Sequence, residues 1–258
     1  MRAIDVHAAS LYMRSLAALG LRRKTQTLAS GERMRLRTND ALGQRLVAEK
    51  WFEPRVREKL RQHSLSGATV LDIGANIGYY TVQMATLVGP GGRVMSFEPQ
   101  PSMRQELAAN LTLNRLSNVT IIPYALSDRA ETVRFCVPAA GREAMGSLRS
   151  NPRFKADCEI EVETRRLDDV LESASCLHVD LVKLDAEGAE LPIVKGASRL
   201  LSGPDKPCVV FEANEENCAP FGYRVFDLLK AFWDFGYQIT QIDAENWFAE
   251  DRNCGECS

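Results

Sequence analysis

A lysine and three carboxylates crowd into the run Lys183-Leu184-Asp185-Ala186-Glu187-Gly188-Ala189-Glu190, directly after an apolar stretch. Burying an unpaired carboxylate is costly, so Asp185, Glu187 and Glu190 are expected to face a cleft, Lys183 or an ion. Glu190 has a structural alternative, because the positive end of a helix starting there would hold it as a cap. The apolar stretch reads as a strand, and in an open α/β sheet ligands bind beyond the carboxyl ends of the strands. A carboxylate poised there beside a hydroxyl can take its proton as general base. A further strand-like run, 207–212, ends in Glu212, placed to position the compound that carries the hydroxyl. His178 precedes its strand and so lies at the wrong end of the sheet for such work.

The stretch VLDIGANIGYY, residues 70–80, is the second chemical centre. Val70, Leu71 and Ile73 bracket Asp72 and lead into Gly74, after which a helix is expected: a buried strand, a tight turn and a helix start. Gly74 and Gly78 let the backbone approach a ligand, and Asn76 between them tolerates left-handed angles. The loop lacks the G-x-G-x-x-G spacing of dinucleotide binders and the Gly-Lys-Ser/Thr of a P-loop. The next strand, 93–97, ends in Glu98, where an acid can accept hydrogen bonds from two ribose hydroxyls. Asp72, the turn and Glu98 describe an adenosine-containing ligand without pyrophosphate, for which S-adenosylmethionine is the candidate.

The segments VLDIGANIGYYT, GRVMSFEPQP, NLTLNRLSNVTIIPYALSD, RRLDDVL and VKLDAEGAE, in that order over about residues 65–212, resemble the FkbM family of S-adenosylmethionine-dependent methyltransferases. D-x-G-x-N-x-G alone recurs widely; FEP-x-P followed by LDAEGAE is the specific part. The resemblance implies an α/β class I methyltransferase fold, a Rossmann-like mixed seven-stranded sheet flanked by helices. It implies Asp72, Gly74, Ala75, Asn76 and Gly78 around the methionine part of the cofactor and Glu98 on the ribose. Tyr124 and Ala125 would flank the adenine with Asp128 close by, and Asp185 would also border the cofactor. The acceptors it implies are hydroxyls of saccharides, glycan chains or other natural products.

Methyl transfer to an alcohol is an in-line displacement that needs the acceptor oxygen aligned and its proton removed. Asp185 is the first choice as base and Glu187 the next, with Glu212 positioning the acceptor. Asp185, Glu187 and Glu212 are also hard oxygen ligands of the kind magnesium takes, and a divalent cation would lower the pKa of a bound hydroxyl. Direct base and metal assistance both stay open, and the resemblance does not compel a metal. The competing classes are a non-catalytic S-adenosylmethionine-binding protein and an NAD-dependent dehydrogenase; the displaced glycine argues against the latter.

Around these centres, residues 66–258 are expected to form the methyltransferase domain and 1–65 a small helical cap. Strands at 69–73, 93–97 and 119–123 alternate with helices at 79–88 and 101–114, the pattern of a parallel sheet with crossover helices. An extra strand at 158–164, a helix from 167, core strands at 179–184 and 207–212, a helix at 226–235 and a closing hairpin at 237–242 and 247–249 complete the series. Residues 134–151 read as a mobile loop near the acceptor. In the cap, 22–38 reads as loop or irregular strand, and Pro54 splits the helical stretch 43–63. The cap either walls the acceptor pocket or covers a sheet edge.

Residues 1–65 hold 14 Lys and Arg against 6 Asp and Glu, a net +8, which leaves 18 against 28, a net −10, for the rest. That segregation fits a basic segment docking an anionic substrate or membrane surface, or a solvated basic face that pairs with the acidic body. Without interleaved aromatics it does not indicate nucleic acid. Arg14 interrupts the apolar residues near the start, which are too few for a membrane span and read as an amphipathic helix. Seven cysteines at irregular spacing argue for a reducing, cytoplasmic setting. Cys254 and Cys257 have zinc-like spacing without a second ligand pair.

Overall fold

The computed structural model describes residues 6–138, 146–150, 156–176 and 178–255. In chain order the elements begin with α1 (Val6–Ala18), the hairpin strands β1 (Arg23–Thr27) and β2 (Arg33–Arg37), α2 (Ala41–Glu49) and α3 (Pro54–Gln62). The alternating series follows as β3 (Thr69–Ile73), α4 (Tyr79–Val88), β4 (Arg93–Phe97), α5 (Pro101–Leu113) and β5 (Val119–Ile122). Next come β6 (Ala125–Leu126), β7 (Glu131–Pro138), β8 (Ala156–Arg165), α6 (Leu167–Ser173), β9 (Leu181–Leu184), α7 (Glu190–Gly196) and α8 (Ser198–Ser202). The chain closes with β10 (Cys208–Glu212), α9 (Glu215–Cys218), α10 (Val225–Asp234), β11 (Tyr237–Gln241) and β12 (Asn246–Asp251).

Seven strands form one sheet in the order β11-β12-β10-β9-β3-β4-β5. β3, β4, β5, β9 and β10 pair in parallel, while β12 runs antiparallel to both β10 and β11. Parallel strands covered on both faces need near-continuous apolar sequence, and all four residues of β9 are buried, Lys183 among them. This is the mixed, helix-flanked sheet of the class I methyltransferase fold.

One apolar cluster on the sheet joins α4 and α5 to the cap, running from Met13, Met34, Leu36, Leu46 and Leu60 to Val70, Val82 and Leu107. The other packs α7 and α10 against Leu71, Val182 and Phe211. The cap therefore shares a core with the sheet.

Two expectations change here. Residues 23–37 are a regular hairpin, with Arg23 opposite Arg37 and Thr27 opposite Arg33. In β2 the alternation RMRLR buries Met34 and Leu36 between exposed or half-exposed arginines, a period-two signal masked by its basic composition. The edge of β2 is closed by side-chain amides of α5: Arg33 N–H donates to Asn114 Oδ1 at 2.8 Å and Arg35 N–H to Asn110 Oδ1 at 2.7 Å. Second, the stretch read as a loop begins as strand β7, which pairs with β8 in the small sheet β6-β8-β7; residues 139–145 lie outside the described residues.

The cap's charge meets a partner in the body. Arg23 Nε, Arg37 Nε and Arg35 Nε lie 2.8, 3.4 and 3.7 Å from Glu106 of α5. Burial works against that carboxylate, yet the three guanidiniums outweigh it and hold its pKa below the ordinary value. These contacts favour the pairing account of the basic segment over a docking one. No helix among the described residues is long and apolar enough to cross a membrane.

Candidate active site

β3 leads through α4 to β4 on one side, and the chain later returns to lay β9 on the other, so the order reverses between β3 and β9. That switch point opens a crevice at the carboxyl ends of the strands. Asp72 pairs in register with Lys183, and Ile73 with both Leu184 and Phe97. The turns that carry Gly74, Glu98 and Asp185 therefore emerge side by side.

The β3 turn is held by backbone bonds, with the Gly74 and Ala75 amides both donating to the Phe97 carbonyl at 3.0 Å. Gly74 has φ +83°, and a Cβ there would lie 1.7 Å from the Asp185 carbonyl oxygen. Only glycine lets these turns approach so closely. Asn76 also sits at positive φ, +52°. Its amide donates to one oxygen of Glu98 and the Gln100 amide to the other, each at 2.8 Å. A carboxylate oxygen carries two acceptor sites, so both oxygens of Glu98 keep capacity for a ligand's hydroxyls.

Asp72 is buried and accepts a short hydrogen bond from the Thr81 hydroxyl. Lys183, fully buried in β9, donates to Asp185 Oδ2 at 3.0 Å and lies 4.9 Å from the centre of the Tyr80 ring. Burial disfavours its ammonium, but Asp185 and Glu53 reverse the balance and raise its pKa. The carboxylates at this sheet edge thus already surround an internal cation. Among the described residues no group of three or more His, Cys, Asp or Glu is arranged to hold a metal ion. The magnesium variant gains no support from this donor set, with Lys183 bonded to Asp185. Cys257 lies outside the described residues, as does the side chain of Cys254.

The 185–190 turn separates its acids by role. Glu187 has φ +51° and Gly188 φ +101°. Glu190 is turned inward, accepting from the Ala186 amide at 2.8 Å, the Gly188 amide at 3.3 Å and the Tyr223 hydroxyl at 3.2 Å. It therefore faces neither cleft, lysine nor ion, and it does not cap α7 either, since its amide partners belong to the turn before that helix, which it holds closed. Asn217 Nδ2 bridges Glu187 at 3.1 Å and Glu212 at 3.4 Å. His178 is exposed and paired with Asp180 before β9.

Two cavities meet at this edge. The first, about 550 Å³, is lined by Gly74, Asn76, Glu98, Tyr124, Ala125 and Asp185, with Phe97, Met103, Phe135 and Leu148 as apolar walls. Asp128 does not line it and pairs with Arg129 instead. The second, about 1310 Å³, is lined by Asp72, Ala75, Lys183, Glu212 and, from the cap, Asp40, Leu42, Phe52 and Glu53. Gly74, Asn76, Asp185 and Glu187 border both. Gly78 lines neither; it starts α4 at φ +86°, and a Cβ there would strike Leu107. Leu148 and Gly146, expected near the acceptor, border the first cavity instead. The cap's contribution, Glu53 above all, is not visible in the sequence, because no local pattern places residue 53 against residue 183.

Burial pushes the Glu98 and Glu190 carboxyls up to about 7 and that of Asp72 to about 6. Unfolded carboxyls titrate near 4, so between about pH 4 and 7 the folded state binds more protons. The stability these groups contribute is full below that interval and is lost as pH rises through 6 to 7. The melting temperature of ligand-free protein is accordingly expected to fall between pH 5.5 and 8; a rise over that interval, followed by calorimetry or fluorescence, contradicts the assignment.

A family model described as Methyltransferase FkbM domain matches residues 72–239. Methyltransferase sdnD of Sordaria araneosa is 32% identical over 209 residues, covering 70% of this chain and 77% of that protein. 2-O-methyltransferase NoeI of Sinorhizobium fredii is 29% identical over 145 residues, 52% of this chain and 58% of that one. Hexuronic acid methyltransferase AglP of Haloferax volcanii is 28% identical over 134 residues, half of each chain. The chain thus matches 58% and 50% of the length of the latter two. The family match begins at Asp72 and runs through Glu98 and the 185–190 turn into β11, and with that extent the chain belongs to the FkbM family of S-adenosylmethionine-dependent methyltransferases.

Proposed function

We propose that this protein transfers a methyl group from S-adenosylmethionine to a hydroxyl of a saccharide or natural-product acceptor. The observation that carries the reading is the junction of the two cavities at Gly74, Asn76, Asp185 and Glu187. A donor in the first and an acceptor in the second would face each other across those four residues. The lining of the first cavity fits the donor: Glu98 offers two oxygens to ribose hydroxyls, and Tyr124 with the apolar walls offers a slot for a flat ring. When bound, the cofactor supplies a methyl group activated on a sulfonium.

The protein's own work is then orientation and proton removal. Asp185, at the junction and half-exposed, takes the acceptor proton. Lys183 fixes that carboxylate through its 3.0 Å bond. Glu187 and Glu212, linked through Asn217, position the acceptor. Burial, reinforced by Asp185 and Glu187, raises the Glu212 carboxyl well above its ordinary value, and Asp185, with its oxygen on Lys183, is the base in this reading. The names of two relatives, 2-O-methyltransferase NoeI and hexuronic acid methyltransferase AglP, support oxygen as the nucleophile and saccharides as an acceptor class.

Calorimetric titration with S-adenosylmethionine, S-adenosylhomocysteine and NAD tests the cofactor. Binding of both sulfur ligands and not of NAD is expected. Glu98→Ala is expected to weaken S-adenosylhomocysteine about 10- to 100-fold, the range for lost hydrogen bonds to a charged group. An unchanged dissociation constant removes Glu98 from the ribose. Methyl transfer to a panel of methyl glycosides, followed with radiolabelled donor, separates an enzyme from a protein that only binds.

A further inference from the structure

The acceptor chamber has a one-sided charge. Seven carboxylates line it, against two cations, Lys183 and Arg45. Both cations are engaged: Lys183 is buried on Asp185, and Arg45 Nε lies 3.1 Å from Glu49 with its guanidinium 5.1 Å from the centre of the Phe52 ring. An incoming anion would meet carboxylates with no cation left over for it.

Glu53 stands apart from the other acids. It comes from the cap, in the left-handed region at φ +45°, just before Pro54 opens α3. A glutamate in that conformation is strained, and the surrounding structure holds it there. The Tyr80 hydroxyl donates to Oε2 at 2.5 Å and Asn246 Nδ2 to Oε1 at 3.2 Å. Each oxygen retains acceptor capacity. Burial raises its carboxyl pKa; Lys183 opposes that and Asp185 reinforces it. A positive group entering the chamber would relieve the same penalty that a proton relieves.

We propose that the chamber selects an acceptor with a protonated amine beside its hydroxyls, an amino sugar rather than a uronic acid or sugar phosphate, with Glu53 as the partner of the amine. This rests on the methyl-transfer reading and narrows its substrate class. It also separates this chain from AglP, whose name specifies a hexuronic acid.

The test is calorimetry on protein saturated with S-adenosylhomocysteine, at mildly acidic pH, with methyl glucosaminide, methyl glucoside and methyl glucuronide as probes of one ring shape and three charges. The glucosaminide is expected to bind about tenfold tighter than the glucoside, with the glucuronide weakest. Glu53→Gln keeps a side chain of the same size and is expected to cut the amine preference below about threefold, with S-adenosylhomocysteine affinity unchanged. Equal affinities, a preference for the glucuronide, or no glucosaminide binding at about 20 mM overturns the proposal. An amine preference intact in Glu53→Gln removes Glu53 from it. Failure to bind S-adenosylhomocysteine at all defeats the methyl-transfer reading and this inference together, whereas binding it without amine selectivity defeats this inference alone.

Discussion

Asp185→Asn is expected to lower turnover by about 10²- to 10⁴-fold, the usual contribution of a positioned general base, while S-adenosylhomocysteine affinity changes by less than about threefold. The amide keeps the shape of the carboxylate and can still accept from Lys183 Nζ, 3.0 Å away in the native protein. What it cannot do is take a proton from the acceptor hydroxyl. Because Asp185 borders both cavities, two measurements on one variant separate its roles: single-turnover methyl transfer reports the base, and calorimetry reports the cofactor side. Full activity in Asp185→Asn would exclude it as base and turn attention to Glu187.

Lys183→Met is expected to destabilise the fold by about 3 kcal/mol, the lower end of the range for breaking a buried ion pair, because Asp185 keeps some solvent contact. In a domain of this size that is a fall of about 6 to 12 °C in melting temperature. Methionine nearly preserves the volume of the lysine, so lost charge rather than an empty space drives the effect. Lys183 is wholly buried, and Asp185, Glu53 and Glu212 all lie within its electrostatic reach. Without it these acids must stay protonated or repel one another. The deficit is therefore expected to be largest near neutral pH and to shrink as pH falls and the carboxyls protonate. A deficit independent of pH would mean that the lysine contributes only packing.

Much of this site was legible in the chain. Lys183 near the end of an apolar strand and Asp185 just past it are close in the chain, and the sequence already offered Lys183 as one partner for that acid; the structure pairs them at 3.0 Å. The run from Val70 to Gly74 announced a buried strand and a tight turn, and the structure places Gly74 where no side chain fits. Glu98 directly follows its strand, and that position sufficed to put it on the crevice, whereas Tyr124 and Ala125 entered through the resemblance to the family and line the same cavity. Hairpin β1–β2 was hidden by its arginines, since a strand with only two buried apolar residues barely shows a period.

Three features depended on tertiary structure. Glu190 resembles its neighbours in sequence, and only the left-handed turn at Glu187 and Gly188 points it inward to two amides and Tyr223. Asp72 and Lys183 are in register because β9 returns to the far side of β3 from β4, a choice of sheet order that local spacing does not specify. Glu53 reaches the second cavity because the cap packs on the same core as the sheet. Strand alternation and turn chemistry act over a few residues and can be read directly from the chain. The juxtaposition of Glu53, Asp72 and Lys183 arises from burying apolar surface between distant segments, and it exists only once the whole sheet has closed.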